Sequence, residues 1–388
     1  MGIPGAEPSI LGGLPTIPRM TAFDVRILGS GIVSRSLALA LARQGLHVAL
    51  QARPTAPHAS PDVRAYALNP ASVALLADLR AWGTLPADAR TAVHDMRVAG
   101  DAPGAQLAFS AFAQAVPALA WIVDAAALEA VLDTAVGFSP QVNLFAEPPP
   151  AALTVVAEGK ASVLRQQLGV QFEQHSYGQR AIAARLVADR PHSGVAHQWF
   201  RSPDILALLP FDRPQAGHSY GLVWSLPEPE AERLLALPAA DFDAALNQAS
   251  GGGAGHLALA SERAAWPLML GRASAVSGPG WALVGDAAHV VHPLAGQGLN
   301  LGLADVTALA DVLATRESWR SPGDADLLRR YARRRATGTW AMAQATDSLW
   351  QLFAGQQPWL RELRNRGLGL VNHITPIKRW LVGQALDT

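Results

Sequence analysis

Two glycine-rich stretches carry residue types at spacings from which chemistry can be read. The first is Gly29-Ser30-Gly31-Ile32-Val33-Ser34, set between an apolar run ending at Leu28 and a helical pattern. A glycine at 29 permits a tight turn, a glycine at 31 lets backbone approach a pyrophosphate, and the free amides at the following helix start face the anion. Ser34 fills the third glycine's place, where helix packs closely on strand and a small residue is tolerated. The carboxylate that would grip a ribose at the end of the next strand is replaced by Gln51, neutral but hydrogen-bonding; a merely exposed strand end is the other reading. The second stretch is Trp281–Val306, WALVGDAAHVVHPLAGQGLNLGLADV. There Asp286 follows Gly285 at a strand end and can accept hydrogen bonds from sugar or ribityl hydroxyls. The Gly296–Gly298 amides and a helix beginning near Leu299-Asn300 offer a positive field to an anion. His289 and His292 are no metal pair: no third ligand is in register, and Pro293 interrupts the turn.

These residues need elements to position them. Phe23–Leu28 reads as a buried strand, a helical pattern then runs to Arg43-Gln44-Gly45 with Gly45 as its left-handed cap, and His47–Gln51 reads as a second strand. Together they make a βαβ unit with a right-handed parallel crossover. From about 175 to 270, β-like runs alternate with turns around one helix at Pro229–Ala245, and the strands read as antiparallel. The last hundred residues return one strand, WALVGD, followed by long helical patterns.

Composition limits the function classes. The 388 residues include 31 Lys+Arg, 31 Asp+Glu and no cysteine, and half are hydrophobic. The absence of cysteine removes disulfides, thiolate zinc sites, iron–sulfur clusters and cysteine nucleophiles. The even charge balance argues against a nucleic-acid surface. Residues 1–22 are rich in glycine and proline and lack a signal-peptide pattern, so a dispensable, disordered leader is expected there. The longest apolar run, Phe109–Val123, is broken by Ser110, Gln114 and Pro117 and is no transmembrane helix.

Taken together, GSGIVS, the Asp62–Leu68 run DVRAYAL, Trp121-Ile122-Val123, AEGKASVLR at Ala157–Arg165, YGQRAIAARL, PHSGVAHQWF, LALLP, the GDAAHVVHPLAGQGLNLGLADV block and LRNRGLGL resemble the flavin-dependent aromatic hydroxylases of the para-hydroxybenzoate hydroxylase fold. The similarity is greatest to the ubiquinone-biosynthesis hydroxylases of the UbiH, UbiF and VisC type, and it runs from about Asp24 to the C-terminus. The resemblance implies an α/β fold: a Rossmann-like, GxGxxG-type FAD-binding domain, an inserted β-sheet substrate lobe and C-terminal helices. Its expected boundaries are 23–170 and 271–345 for the two parts of the FAD domain, 171–270 for the substrate lobe and 346–388 for amphipathic helices. FAD would be held by Gly29, Gly31, Ser34, Gln51, Arg64, Gly285, Asp286, Pro293, Gly296, Gln297, Gly298, Leu299 and Asn300. No side chain is expected to be catalytic, since the cofactor does the hard step on dioxygen and the protein orients and shields it. The implied reaction is ring hydroxylation of a polyprenyl phenol, or of another aromatic substrate, with dioxygen and an external reductant.

Four positions depart from the family pattern: Ser34, Gln51, Glu158 in place of an aspartate, and Ala125 in place of an amide side chain. They leave open a flavin-poor scaffold or lipid-binding member of a biosynthetic complex. From Arg316 to Arg335 seven arginines stand against three acids, and beyond them Trp350, Phe353, Trp359 and Trp380 alternate with arginines. That mixture suits packed terminal helices or an amphipathic surface on a partner protein or a membrane. The implied location is cytoplasmic, with peripheral attachment to the inner membrane face.

Overall fold

The computed structural model describes residues 23–53, 62–100, 106–291 and 297–336. The expected leader and the expected helices at 346–388 lie outside these residues. Val25–Leu28 is flanked by two parallel partners, Val48–Gln51 on one side and Leu153–Val156 on the other. Val142–Phe145 and Trp281–Leu283 extend the parallel sheet outward, and an antiparallel pair of residues at Ser277–Gly278 closes a six-stranded layer. Strands 48–51 and 153–156 are buried almost throughout, as expected of parallel strands covered on both faces, and 25–28 alternates buried with half-buried residues. Helix Ile32–Ala42 packs against helices Ala125–Gly137 and Gln297–Ala314. The chain after Ala42 closes through Gly45 at φ +80°, the left-handed residue expected there.

The second large layer is a nine-stranded, mainly antiparallel sheet. Phe172–Ala188 runs through it and pairs with both Ser219–Pro227 and Ala264–Ala273. Beside the strands of the 171–270 stretch, this sheet takes in Asp95–Ala99, Gln106–Ser110 and His289–Val290. A three-stranded antiparallel sheet, Ala65–Leu68, Ala120–Asp124 and Arg90–Val93, lies between the two larger ones. The single helix expected at Pro229–Ala245 is two, Glu228–Ala236 and Ala239–Ser250. The break is at Leu237-Pro238, because a residue before proline is pushed out of the helical region, and Leu237 is extended at ψ 146°. Both helices cover the outer face of the nine-stranded sheet through Leu234, Phe242 and Leu246. Among the described residues, no helix is long and apolar enough to cross a membrane.

His197 sits in this sheet, 7% exposed, stacked on Trp199 and edge-on to Tyr220. Burial, with the Arg97 charge adding to it, pushes its imidazole down from 6.5 to about 4. Above this window folded and unfolded chains both carry it neutral, and within the window only the unfolded chain takes up the proton. Stability should therefore fall by about 3 kcal/mol as pH drops from about 6.5 to about 4. His197→Gln should flatten that part of the profile in urea denaturation series, and an unchanged slope would count against this origin.

Candidate functional site

A cavity of about 850 Å³ runs from the Gly29–Ser34 turn to the inner face of the nine-stranded sheet. Its cradle follows from the strand order. Because Val25–Leu28 lies beside Leu153–Val156, Gly29 leaves the sheet against the backbone of Ala157. Gly29 has φ +132°, and a Cβ there would overlap the Ala157 carbonyl oxygen, so both conformation and space demand glycine. Its N–H donates to Gln51 Oε1 at 2.7 Å. Gly31 has an ordinary φ of −92°, and a Cβ there would meet nothing within 4 Å, so its missing side chain leaves cavity space. Helix Ile32–Ala42 begins at Gly31 with no capping side chain and no acid in its first turn. Ser34 is 1% exposed, and its Oγ has no hydrogen-bond partner among the described residues. Uncapped amides, an orphaned buried hydroxyl and a glycine opening fit the diphosphate of FAD.

Two loops make the opposite wall. Gly285, at φ +61°, turns the chain so that Asp286 lines the cavity. Burial pushes the Asp286 carboxyl up, and Lys160 and His289 pull it the other way. Arg165, 3% exposed, donates to Lys160 O at 2.8 Å and Ala287 O at 3.0 Å, and its guanidinium lies 3.8 Å from the centre of the Phe172 ring. It thereby joins the 158–160 loop to the 285–287 turn. Glu158 accepts from Ser162 Oγ at 2.6 Å and from the Leu164 N–H at 3.2 Å, capping the short helix Val163–Gln167. The longer side chain, a departure from the family pattern, thus serves the local turn.

The rim is ionic. Arg64 donates from Nε and Nη2 to the Asp62 carboxylate at 2.9 and 2.6 Å and from Nη1 to Tyr66 OH at 3.0 Å. The bond to Asp62 raises the Arg64 pKa, and burial pushes the Tyr66 hydroxyl up to about 12. Glu129 approaches Arg64 at 3.4 Å and Arg53 at 2.7 Å. Behind the rim, Arg185 reaches from the nine-stranded sheet to the Arg64 carbonyl at 2.7 Å and to Asp124 Oδ2 at 3.2 Å. Asp124 also caps helix Ala125–Gly137 through the Ala127 N–H at 2.9 Å. Ala125 contributes its backbone, donating to the same Arg64 carbonyl at 3.2 Å.

Of the expected site residues, Gly29, Gly31, Ser34, Gln51, Arg64, Gly285, Asp286, Gly298 and Leu299 line this one cavity. Asn300 does not line it. It is 1% exposed, accepts from Ser72 Oγ at 2.8 Å and the Asn69 N–H at 3.1 Å, and donates to Ala67 O at 2.9 Å, tying helix Gln297–Ala314 to the 65–78 stretch. Pro293 and Gly296 lie outside the described residues, and Gln297 is described only as the backbone that opens that helix. His289 is turned into the protein, 2.7 Å from Asp305, and the described residues hold no metal-binding cluster. Sequence reasoning missed Glu129, Lys160, Arg165 and Arg185. Lys160 and Arg165 stand inside the AEGKASVLR stretch and Arg185 inside YGQRAIAARL, but nothing local marks the task of Arg185, whose partners are more than 60 residues away.

Gly29→Ala and Gly31→Ala should fail differently. The first should lower the melting temperature through overlap and strain of more than about 1 kcal/mol. The second should leave melting unchanged and weaken FAD uptake, read by flavin fluorescence titration. Equal losses of stability in both would refute the assignment.

Residues 149–346 match the family described as FAD binding domain. The sequence is 30% identical over 412 residues to ubiquinone hydroxylase UbiL of Rhodospirillum rubrum, covering 100% of this chain and 95% of that one. It is 29% identical to the 3-demethoxyubiquinol 3-hydroxylase of Escherichia coli, covering 94% of this chain and 98% of that protein. Among solved structures, PqsL of Pseudomonas aeruginosa in complex with 2-aminobenzoylacetate shares the fold, with a TM-score of 0.74 over 89% of this chain and 99% of that one at 21% identity. The flavin cradle, the family match and the end-to-end similarity together place this chain in the FAD-dependent hydroxylase family of ubiquinone biosynthesis.

Proposed function

We propose that the protein hydroxylates the aromatic ring of a polyprenyl phenol, using dioxygen and an external reductant. The observation that carries this reading is the continuity of the cavity from the phosphate cradle to an apolar sheet face. Across three strands Ala183 is in register with Val223, and Val223 with Ala207. Ala181, Leu209, Leu268 and Ile122 line the same chamber, and none of its residues from the nine-stranded sheet carries a charge at neutral pH. Such a wall suits a ring with a hydrocarbon tail and excludes water from it.

Bound FAD supplies a reduced ring system that activates dioxygen for transfer of one oxygen atom to an electron-rich carbon. The chain's own residues bind and orient. The amides from Gly31 onward and Ser34 Oγ would hold the diphosphate. With its Oε1 engaged by Gly29, Gln51 would offer its amide nitrogen to a ribose hydroxyl, and Asp286 would accept from sugar or ribityl hydroxyls. Gly298 and Leu299, at the start of helix Gln297–Ala314, would direct its positive end toward the cofactor, a term of about 1 kcal/mol. Arg64, fixed by Asp62 and Glu129, would set the rim charge. Pro293 and Gly296 belong to the same proposed cradle.

Membrane attachment is assigned to the 346–388 stretch and away from the arginines before it. Arg320, Arg329, Arg330, Arg334 and Arg335 all pair with carboxylates, and Arg316 donates to the Leu313 carbonyl. Pairs of this kind weaken the field that an anionic surface would feel, although Arg316 and the exposed Arg333 have no carboxylate partner among the described residues.

Incubating FAD-loaded protein with a reductant, labelled dioxygen and a short-chain prenyl phenol should yield product carrying one labelled oxygen. Turnover of unprenylated phenols alone would point to another substrate, and a colourless protein after FAD titration would return the chain to the scaffold reading. Val223→Trp should cut kcat/KM for the prenyl phenol at least about tenfold, or about 1.4 kcal/mol of transition-state binding, with FAD affinity kept. In liposome flotation, the full chain should partition with anionic vesicles, and a chain ending before Trp350 should not. Equal partitioning removes the membrane assignment.

A further inference from the structure

The carboxylate of Asp305 lies behind the cavity wall and has no part in the roles assigned above. It projects from helix Gln297–Ala314 and is 1% exposed. Donors from three other segments converge on it: the Gly285 N–H at 2.8 Å and His289 Nε2 at 2.7 Å on Oδ2, and Arg335 Nε at 2.6 Å on Oδ1. A carboxylate so deep is tolerated only when its charge and lone pairs are matched, and removing one partner leaves the others unmatched. Burial pushes its pKa up; His289, Arg335 and the Gly285 amide outweigh that and hold the carboxyl below the usual range.

What these bonds hold in place matters more than the pair itself. Gly285 opens the turn that carries Asp286 into the cavity, and its φ of +61° is set by no side chain of its own. The Val284 side chain before it makes no capping bond. The turn also packs on helix Gln297–Ala314, where a Cβ on Gly302 would sit 3.4 Å from Gly285 Cα. Arg335 comes from the 325–336 helix and also donates to Leu301 O at 3.3 Å, so it fixes Asp305 against its own helix.

We infer that Asp305 and Arg335 are positioning residues of the flavin site: Arg335 holds Asp305, Asp305 holds the Gly285 amide, and that amide sets where the Asp286 carboxyl meets the cofactor. Neither residue touches the cavity, and the chain of contacts ties the last described helix to the cofactor turn. The inference rests on FAD binding and is independent of which ring is hydroxylated.

The test titrates FAD into apoprotein of wild type, Arg335→Met, Arg335→Lys and Arg334→Met, following flavin fluorescence, the visible circular dichroism of bound flavin, and thermal melting. Arg335→Met should bind FAD about tenfold more weakly, with an altered visible dichroism band, and Arg335→Lys should fall between it and wild type. Arg334→Met breaks the exposed pair with Asp311 one residue away and should match wild type. The inference is overturned if Arg335→Met keeps wild-type affinity and dichroism, or if Arg334→Met weakens FAD equally. Should Arg335→Met not fold, Arg335→Lys decides, with wild-type affinity and dichroism again overturning the inference. Failure of the wild-type protein itself to take up FAD would instead remove the flavoprotein reading.

Discussion

The contact between Gly29 and the Ala157 backbone is the constraint on which the half of the cavity proposed for the cofactor depends. Two parallel strands, Val25–Leu28 and Leu153–Val156, end side by side, and the chain can leave the first only by passing where a side chain would overlap the second. Glycine there brings the 29–34 turn, the 157–160 loop and, through the adjoining Trp281–Leu283 strand, the Gly285–Asp286 turn to one edge of the sheet. Ligands of open parallel sheets bind at the carboxyl ends of their strands because that edge exposes helix amides and short flexible loops together.

The sheet-lined half of the cavity, proposed for the substrate, depends on a different device. The nine-stranded sheet and the three-stranded sheet could slide on an apolar interface alone, since hydrophobic contact has no direction. Polar clamps give it one. Arg185 bonds the Arg64 carbonyl and Asp124, Thr91 donates to Asp212 at 2.7 Å, and Arg213 pairs with Asp88 at 2.8 Å. Phe211 under the Arg185 guanidinium, 4.1 Å away, fills the joint. Small side chains such as Ala181, Ala183, Ala207 and Val223 can therefore stand among the larger ones of the chamber wall, since they need not hold the two layers in register themselves.

Much of the cofactor half was legible in the residues. Glycine at 29, the helical period to Ala42 and the apolar runs on either side are local signals, and the structure places them within two residues of the expected limits. The Trp281–Val306 block was legible because an apolar run, a Gly-Asp pair and a helical period stand close together in the chain. Asn300, expected at the cofactor, lies on the expected helix and bonds Ala67, Asn69 and Ser72. Besides the side chains named above, the fold itself held two departures: the split at Leu237-Pro238, and the recruitment of Asp95–Ala99 and Gln106–Ser110 to a sheet formed mostly a hundred residues later. Strand pairing at that separation leaves no periodic trace.

The sequence by itself determined the parts: a parallel dinucleotide-type cradle opened by Gly29 and Gly31, a carboxylate at 286, a β-rich middle, and the absence of any thiol. These are properties of backbone permission and short-range periodicity, which neighbouring residues impose on one another. Tertiary structure alone decided which charges matter. Asp305, Arg165 and Arg185 look like ordinary polar residues in the chain, and each becomes specific once folding removes it from water. In a buried site an ionised group must meet partners wherever the topology brings them, and here those partners lie tens to more than a hundred residues away.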